Sequence, residues 1–256
     1  MQYGICNLSL IPVRKSAGHT SEMTTQLLFG ETFDITGQQD NWIQIQIHKD
    51  QYTGWIHQQQ YMSLSSSEME MLYTSANVLL SDLYSSVTEK STANVLPLLM
   101  GSRIPLPIEN EFHIAGETYT FNGNYTSVIP DKTLIIPYAE RYLGAPYLWG
   151  GRSHFGIDCS GFTQMVYHLS GYTLSRDASQ QAMQGDSLSF LSEAETGDLL
   201  FFDNEEGLIT HVGLLYSENK IIHASGNVRI DTIDHQGIYN ENLHKYTHNL
   251  RLIKKY

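Results

Sequence analysis

The N-terminal quarter of the chain consists of short apolar runs separated by polar turns. Residues 42–47 largely alternate apolar and polar side chains, which is the pattern of a strand with one buried face. Further short β runs are Leu27-Leu28-Phe29-Gly30, residues 32–36 and residues 52–56. Several short strands at this spacing are typical of a small barrel, which we predict for residues 1–62.

A weaker pattern of the same kind continues from about residue 70 to residue 125. Its motif Leu98-Leu99-Met100-Gly101 resembles the earlier Leu27-Leu28-Phe29-Gly30, and two further β runs flank Gly116. This repetition predicts a second small barrel over residues 63–128 and favours an internal duplication.

The pattern changes after residue 128. From Cys159 onward, apolar residues recur at the spacing of one helix face: Phe162, Met165, Val166 and Leu169. Gly171 is well placed to end this helix. Strands are then predicted at residues 198–202, 210–216, 220–224, 228–233 and 250–253. A helix followed by antiparallel strands indicates an α+β domain, which we place at residues 129–256.

Composition and charge narrow the possible partners. The 256 residues are 41% apolar and 16% charged, with a net charge of -12. Nonspecific nucleic-acid binding needs a basic face, so no nucleic-acid partner is expected. No apolar stretch of about 18 or more residues occurs, so no membrane span is expected. Residues 1–14 do not resemble a signal peptide, which predicts a cytoplasmic protein, or a periplasmic or secreted one if a leader has been removed.

Cys159 is the first candidate for chemistry, because it lies at the predicted start of the helix. Unpaired backbone N–H groups and the positive end of the helix dipole stabilise an anion at that position. The thiol pKa is therefore expected to fall, and the thiolate is the nucleophilic form of cysteine. An ordinary buried cysteine is the alternative. The second cysteine, Cys6, fits an incidental core residue, although a disulfide stays possible.

Two histidines lie on a predicted β-hairpin. Pairing Tyr216 with Lys220 across a short polar connection sets Gly213 opposite His223. His211 is two residues from Gly213, so it shares the face of His223 and is its diagonal neighbour, roughly 7–8 Å away. Gly213 lacks a side chain and leaves room for another group.

These three side chains are arranged as a catalytic triad would be. Cys159 would be the nucleophile, His211 its base and His223 the residue that orients the base. The competing interpretation is a zinc site formed by the same residues with His154 as a fourth ligand. Their spacing is not that of a common zinc motif, so we expect neither a metal nor another cofactor.

The residues around the triad resemble the NlpC-type family of cell-wall cysteine peptidases. The fragments that carry the resemblance are Tyr147-Leu148-Trp149-Gly150-Gly151, Asp158-Cys159-Ser160-Gly161-Phe162, Gly197-Asp198-Leu199, His211-Val212-Gly213 and Ile222-His223-Ala224-Ser225. Their order and spacing match over residues 135–256. The resemblance implies a papain-like catalytic domain, with the cysteine at a helix N-terminus and the histidines on a sheet. All three catalytic positions are kept, so an active enzyme is expected.

The N-terminal part is similar to the bacterial SH3-like domains that precede this core in one subgroup. The fold expected is therefore α+β, a papain-like core preceded by two small SH3-like β-barrels. The subgroup cleaves murein peptides between γ-D-Glu and the diamino acid, and it favours a free N-terminal L-Ala. Murein-derived peptides are thus the implied partner, in cell-wall peptide turnover or recycling.

The resemblance also implies the residues that bind the substrate: Glu22, Tyr52, Trp149, Asp158, Ser160, Arg176, Asp177 and Ser179. Glu22 would receive the substrate ammonium, and Tyr52 would close one end of the cleft. The backbone N–H of Cys159 and Tyr147 would stabilise the oxyanion. A helix cap is the alternative for Asp158, and an exposed loop carboxylate is the alternative for Glu22.

Two other classes of function remain open from the sequence. One is a noncatalytic peptidoglycan-binding protein, in which the SH3-like barrels are the working part. The other is an amidase or acyl transferase on the same fold, because a fold does not fix the reaction. The intact Cys159, His211 and His223 argue against the first of these.

Overall fold

The computed structural model describes residues 2–256. The chain divides into two compact units, Met1–Ile129 and Pro130–Tyr256. Met1, where the predicted first barrel begins, lies outside the described residues. The predicted boundary at residue 62 within the first unit stays a prediction. No helix among residues 2–256 is long and apolar enough to cross a membrane.

The first unit is built from short antiparallel strands and a helix, α1 Ser66–Thr74. Its strands are β1 Gln2–Ile5, β2 Leu10–Arg14, β3 Met23–Leu28, β4 Thr32–Gln39, β5 Trp42–Ile47, β6 Thr53–His57, β7 Met62–Leu64, β8 Asn77–Leu80, β9 Tyr84–Glu89, β10 Val95–Leu99, β11 Arg103–Pro105, β12 Glu111–Ile114, β13 Glu117–Phe121 and β14 Tyr125–Ser127. One sheet has the order β3-β2-β6-β5-β4-β1-β7. The later strands form two smaller sheets, β10-β9-β13-β12 and β11-β8-β14.

The apolar alternation of β5 produces the core of the first sheet. Ile43, Ile45 and Ile47 are buried and pack with Phe33, while the intervening glutamines are only partly covered. A second cluster joins residues of the first sheet, such as Phe29, to residues of the two smaller sheets. Strands before and after α1 therefore contribute to this second cluster, which is separate from the core of the first sheet.

The repeated Leu-Leu-x-Gly motif forms the same backbone corner twice. Gly30 and Gly101 both have a positive φ, 82° and 88°, which glycine adopts without steric cost. The Gly30 N–H donates to the carbonyl of Cys6, and the Gly101 N–H donates to the carbonyl of Leu80, each at 2.8 Å. The return bonds also match: Cys6 N–H to Glu31 O and Leu80 N–H to Ser102 O, each at 2.9 Å. This equivalence supports the internal duplication.

Helix α1 differs from the prediction, because the strand-like pattern was expected to begin near residue 70. The helix begins at a capping box, in which Glu68 accepts the Ser65 N–H at 2.7 Å and the Ser65 hydroxyl accepts the Glu68 N–H at 3.3 Å. None of its residues is fully buried, so its sequence shows little helical periodicity. The Ser-x-x-Glu spacing was the available signal for this helix.

The second unit combines helices with a closed antiparallel sheet. Its elements are a 3-10 turn Lys132–Leu134, α2 Ile135–Glu140, β15 Arg152–Ser153, β16 Gly156–Ile157, α3 Cys159–Leu169, α4 Ala178–Gln181, β17 Asp186–Leu188, a 3-10 turn Leu191–Glu193, β18 Leu199–Asp203, β19 Ile209–Ser217, β20 Lys220–Ser225, β21 Asn227–Ile233, β22 Gly237–Asn240 and β23 Lys245–Lys255. The strand order is β17-β23-β18-β19-β20-β21-β22, and β22 also pairs with β23. The α+β prediction is confirmed, although β22 was not predicted and β23 is longer than expected.

Helix α3 positions the predicted nucleophile. It begins at Cys159, as predicted, and packs against β19, β20 and α2. All four residues of its predicted apolar face are fully buried: Phe162, Met165, Val166 and Leu169. Gly171, with φ 83°, follows its end. Because the helix is held on several sides, its first residue is fixed against the sheet.

Candidate active site

The sulfur of Cys159 lies against the backbone of β19. Its Sγ is 4.0 Å from the carbonyl oxygen of Thr210, and it accepts the backbone N–H of Val212. These two residues flank His211 in the chain. Cys159 is only 6% exposed. The fold thus brings the predicted nucleophile to the strand segment that carries the predicted base.

The two predicted histidines are joined by a hydrogen bond. Nε2 of His211 lies 2.8 Å from Nδ1 of His223. On its other side, Nε2 of His223 lies 3.0 Å from a carboxylate oxygen of Asp231, and the second oxygen accepts from Arg229 at 2.7 Å. Both histidines are buried. A continuous chain of polar groups therefore runs from His211 to Arg229.

The hairpin register is partly as predicted. Gly213 pairs with His223, which is confirmed, but Ser217 rather than Tyr216 pairs with Lys220. A β-bulge makes the pairing skip Tyr216, and the connection between the strands is one residue shorter than expected. The bulge and the shorter connection offset each other, so Gly213 still lies opposite His223. A Cβ atom on Gly213 would lie 2.8 Å from Cβ of His223. The space at this glycine is thus occupied by the neighbouring strand.

Two residues beside the histidines were missed. Asp231 lies on β21 two residues beyond Arg229, which pairs with His223, so it has the same diagonal relation to His223 as His211 has. His248 on β23 stacks on the ring of His211, with 4.2 Å between ring centroids. The strand register could have found Asp231, whereas His248 lies outside the predicted strand 250–253.

The expectation that the Cys159 thiol has a lowered pKa is wrong. Burial, followed by the Asp158 carboxylate, raises the pKa of the thiol to about 12. Nearby backbone N–H groups act in the opposite direction but are outweighed. The positive end of the helix dipole does not lower the pKa of the thiol, because desolvation of the thiol has the larger effect. In addition, the N-cap carboxylate already accepts backbone N–H groups at this helix end.

Burial also keeps the imidazole of His211 neutral. It lowers the pKa of His211 well below 6.5, and the neighbouring His223 and His248 lower it further. Cys159 and His211 are therefore a neutral thiol and a neutral base at neutral pH. Such a pair activates the sulfur by proton transfer as the sulfur attacks, rather than by a standing thiolate.

Asp158 is the N-cap of α3. One of its oxygens accepts the Gly161 N–H at 2.6 Å and the other accepts the Gly150 N–H at 2.8 Å. Arg176, which is 1% exposed, donates hydrogen bonds to both oxygens, at 3.0 and 2.5 Å. Arg176 also donates to the hydroxyl of Ser160 at 2.9 Å. The substrate roles predicted for these residues stay predictions, and their contacts here hold the start of the helix.

Tyr147 and Trp149 lie on the loop that precedes β15. The Tyr147 N–H donates to the carbonyl of Gly226 at 2.9 Å, which ties this loop to the sheet. Burial, then the nearby Cys159 and Asp158, raise the pKa of the Tyr147 phenol. The phenol is therefore protonated and able to donate a hydrogen bond. Trp149 is 60% exposed, and its predicted role in substrate binding stays a prediction.

The remaining predicted binding residues belong to different elements of the two units. Glu22 is exposed in the first unit and pairs with Lys15 at 3.1 Å. Tyr52 is half-buried there and packs on the core of the first sheet. Asp177 precedes α4, and its N–H donates to the Gln180 side chain at 3.2 Å, whereas Ser179 is exposed.

The described part of the chain contains no set of side chains that fits the alternative of a zinc site. Among residues 2–256, no group of three or more His, Cys, Asp and Glu side chains could hold a metal ion. His154 lies beside the rings of Tyr142 and Phe155. His211 and His223 are bonded to each other.

A buried thiol at the start of a helix, lying against the sheet strand that carries a buried imidazole, is the arrangement of a papain-like cysteine peptidase. The profile of the NlpC/P60 family matches residues 144–247, and that of the bacterial dipeptidyl-peptidase SH3 domain matches residues 13–60. The chain belongs to the NlpC/P60 family. The resemblance inferred from the motifs is thus confirmed, and so is the assignment as a cysteine peptidase.

Relatives span most of the chain. The γ-D-glutamyl-L-lysine dipeptidyl-peptidase of Bacillus subtilis (strain 168) is 34% identical over 220 residues, which are 78% of this chain and 71% of that protein. The protein of the same name from Bacillus cereus is 27% identical over 80% of this chain and 68% of that protein. The crystal structure of an NlpC/P60 family protein from Bacillus cereus ATCC 10987 shares the fold, with a TM-score of 0.84, 18% identity and 99% of each chain covered.

Proposed function

We propose that this protein hydrolyses the amide between γ-D-Glu and the diamino acid in murein peptides that carry a free N-terminal L-Ala. The observation that carries the proposal is the position of the Cys159 sulfur against the strand of His211, whose ring is bonded to His223. Two Bacillus relatives are named γ-D-glutamyl-L-lysine dipeptidyl-peptidases, which supports this choice of bond and substrate class. A role in cell-wall peptide turnover or recycling follows from such a substrate.

The first half of the reaction forms a thioester. As the Cys159 sulfur attacks the carbonyl carbon, its proton passes to His211, because the resting thiol is protonated. The negative oxygen of the tetrahedral intermediate accepts from the Cys159 backbone N–H, which as the first of its helix has no intrahelical acceptor. The Tyr147 phenol is the second donor. The C–N bond then breaks, and His211 gives its proton to the departing amine of the diamino acid.

The second half of the reaction restores the enzyme. A water molecule attacks the thioester carbonyl, and His211 takes one of its protons. The C–S bond breaks, the peptide leaves with a new carboxyl group, and the sulfur recovers its proton from His211. His223 holds the His211 ring in one orientation through both halves, as the third member of a triad does.

Glu22 and Asp177 are proposed to select the free amine. A carboxylate offsets the lost hydration of an ammonium through a charge-assisted hydrogen bond. An N-acetylated or crosslinked peptide lacks the ammonium and therefore cannot form this charge-assisted bond, which disfavours its binding. The enzyme would then act on short released peptides rather than on intact wall.

The test is to incubate the enzyme with L-Ala-γ-D-Glu-L-Lys, its diaminopimelate counterpart and the N-acetylated form of each. We expect L-Ala-γ-D-Glu and the free diamino acid as products from the first two, identified by mass spectrometry. Cleavage at another amide, or acyl transfer to an added amine without hydrolysis, would overturn the proposed reaction. Equal rates on the free and acetylated peptides would overturn the selection of the amine.

A further inference from the structure

Resting on this proposed function, we propose that Asp231 is a positioning residue that decides which ring nitrogen of His223 and His211 carries the proton. Arg229 fixes the carboxylate in the orientation that this role requires. The inference is carried by one continuous series of contacts: His211 to His223 at 2.8 Å, His223 to Asp231 at 3.0 Å, and Asp231 to Arg229 at 2.7 Å.

The first step follows from the chemistry of a carboxylate. An ionised carboxylate only accepts hydrogen bonds, so Nε2 of His223 must carry the proton in its bond to Asp231. Burial alone would raise the pKa of Asp231, but the bonds from His223 and Arg229 outweigh burial and lower it. Asp231 is therefore ionised at neutral pH, and this orientation of the bond is fixed.

The second step carries this orientation to the base. A neutral imidazole has one N–H donor and one acceptor nitrogen. Since Nε2 of His223 is the donor, its Nδ1 is the acceptor, and Nε2 of His211 must donate to it. Nδ1 of His211 then holds the lone pair that takes the proton of the thiol. In the opposite tautomer, Nδ1 of His211 would carry a hydrogen and could not act as a base.

The other charged and titratable groups around His211 and His223 do not determine the direction of the hydrogen bond between these two rings. His248, from β23, contacts both rings, and burial, with a further contribution from His223, lowers its pKa to about 4. His248 is thus neutral at working pH. Cys159 and its neighbour Asp158 lie at the start of α3, where Asp158 is engaged by Arg176. Among the described residues, Asp231 is the carboxylate that is bonded to His223.

The informative substitution is Asp231→Asn, because an amide has one accepting and one donating end. A bond to a cationic guanidinium is the stronger one, so Arg229 would hold the amide oxygen. The amide N–H would then point at Nε2 of His223 and reverse both tautomers. We expect kcat to fall by up to about 10⁴-fold, as when the carboxylate of a triad is changed to an amide that favours the wrong tautomer, with KM little changed.

A second substitution should restore the acceptor for His223 that Asp231→Asn removes. In the double variant Asp231→Asn, Arg229→Met, the amide is released and can turn its oxygen toward His223. We expect at least part of kcat to return. Glu241→Gln is the matched control, because it removes an exposed carboxylate that lies in the turn after β22 and pairs with Lys220 at 3.6 Å. It is expected to leave both kcat and the tautomers unchanged.

The decisive readout is ¹⁵N NMR of the histidine rings in the full chain, which needs no substrate. Wild type should show protons on Nε2 of both His223 and His211, and Asp231→Asn should show them on Nδ1. A wild-type His211 protonated on Nδ1 would overturn the inference even if the variant failed to fold. Tautomers unchanged in a folded Asp231→Asn, or no recovery in the double variant, would also overturn it. If wild type did not cleave the peptide, the proposed function would fail while the NMR result still decided the role of Asp231.

Discussion

Burial acts on Cys159 and His211 in opposite directions. It raises the pKa of the thiol and lowers the pKa of the imidazole, so both groups are uncharged in the resting site. A protonated thiol is also a poor target for oxidants, since the thiolate is the reactive form. In the proposed mechanism, the sulfur is therefore activated only as it attacks the carbonyl of a substrate.

The pH dependence of the reaction follows from this neutral pair. His211 must be unprotonated to accept the proton, and its pKa is held well below 6.5 by burial, then by His223 and His248. The neutral form therefore persists as the pH falls through 6.5, and protonation removes activity only at lower pH. We expect the acidic limb of kcat/KM to lie below pH 6.5, measured on L-Ala-γ-D-Glu-L-Lys. An acidic limb at or above pH 6.5 would contradict this account.

The histidine pair could be predicted because alternate residues of a strand lie on the same face of a sheet, so one pair of opposed residues fixes which others are neighbours. The error at Tyr216 was harmless, since the bulge and the shorter turn offset each other. The same rule applied to the next two predicted strands pairs Ala224 with Val228, as observed, and so was sufficient to find Asp231. The rule could not find His248, because the pairing of its strand passes through bulges that no local pattern marks.

The raised pKa of Cys159 could not be predicted from the sequence either. A helix start predicts stabilisation of an anion, but it does not reveal how deeply the residue is buried or which groups already occupy the helix N-terminus. Here the N-cap Asp158 accepts the Gly161 N–H. Only the packed structure shows that desolvation outweighs the helix end.

At the scale of elements, the start of α3 depends on a buried ion pair. Removing one partner of such a pair leaves the other charged and buried, which destabilises a protein by about 3–5 kcal/mol. We therefore expect Arg176→Leu to lower the free energy of unfolding by about this amount, measured by urea denaturation. Asp158 would lose its two contacts to Arg176, at 3.0 and 2.5 Å.

The surface pair Lys15–Glu22 is the matched control, because its side chains are 71% and 39% exposed. Lys15→Leu should change the free energy of unfolding by no more than about 1 kcal/mol. If Arg176→Leu raised KM and left stability at the wild-type value, Arg176 would be a substrate ligand and not a support of the helix.

Elements with a strong local signal could be predicted, and others could not. Strand β5 and the start of α3 agree with the pattern because their apolar periods are regular. Helix α1 and strand β22 lack such a period. Helix α1 has no buried residue and β22 is only four residues long, so neither presents an apolar face that repeats along the chain.

At the scale of the whole molecule, the two units have different tasks in the proposed function. The second unit carries Cys159, His211 and His223, which are proposed to do the chemistry. The first unit carries Glu22 and Tyr52, which are proposed to choose the peptides. The architecture is shared with a structure that is only 18% identical over 99% of each chain, so it depends on patterns of burial more than on particular residues.

The most direct test of the account is hydrolysis of L-Ala-γ-D-Glu-L-Lys by wild type and Cys159→Ala, with Cys6→Ala as the matched control. Both variants should fold, and Cys159→Ala should bind the peptide as tightly as wild type. We expect release of L-Lys to fall by about 10⁵–10⁶-fold in Cys159→Ala, as when another peptidase nucleophile is removed, and to persist in Cys6→Ala. Release at the wild-type rate by folded Cys159→Ala would contradict covalent catalysis by this thiol.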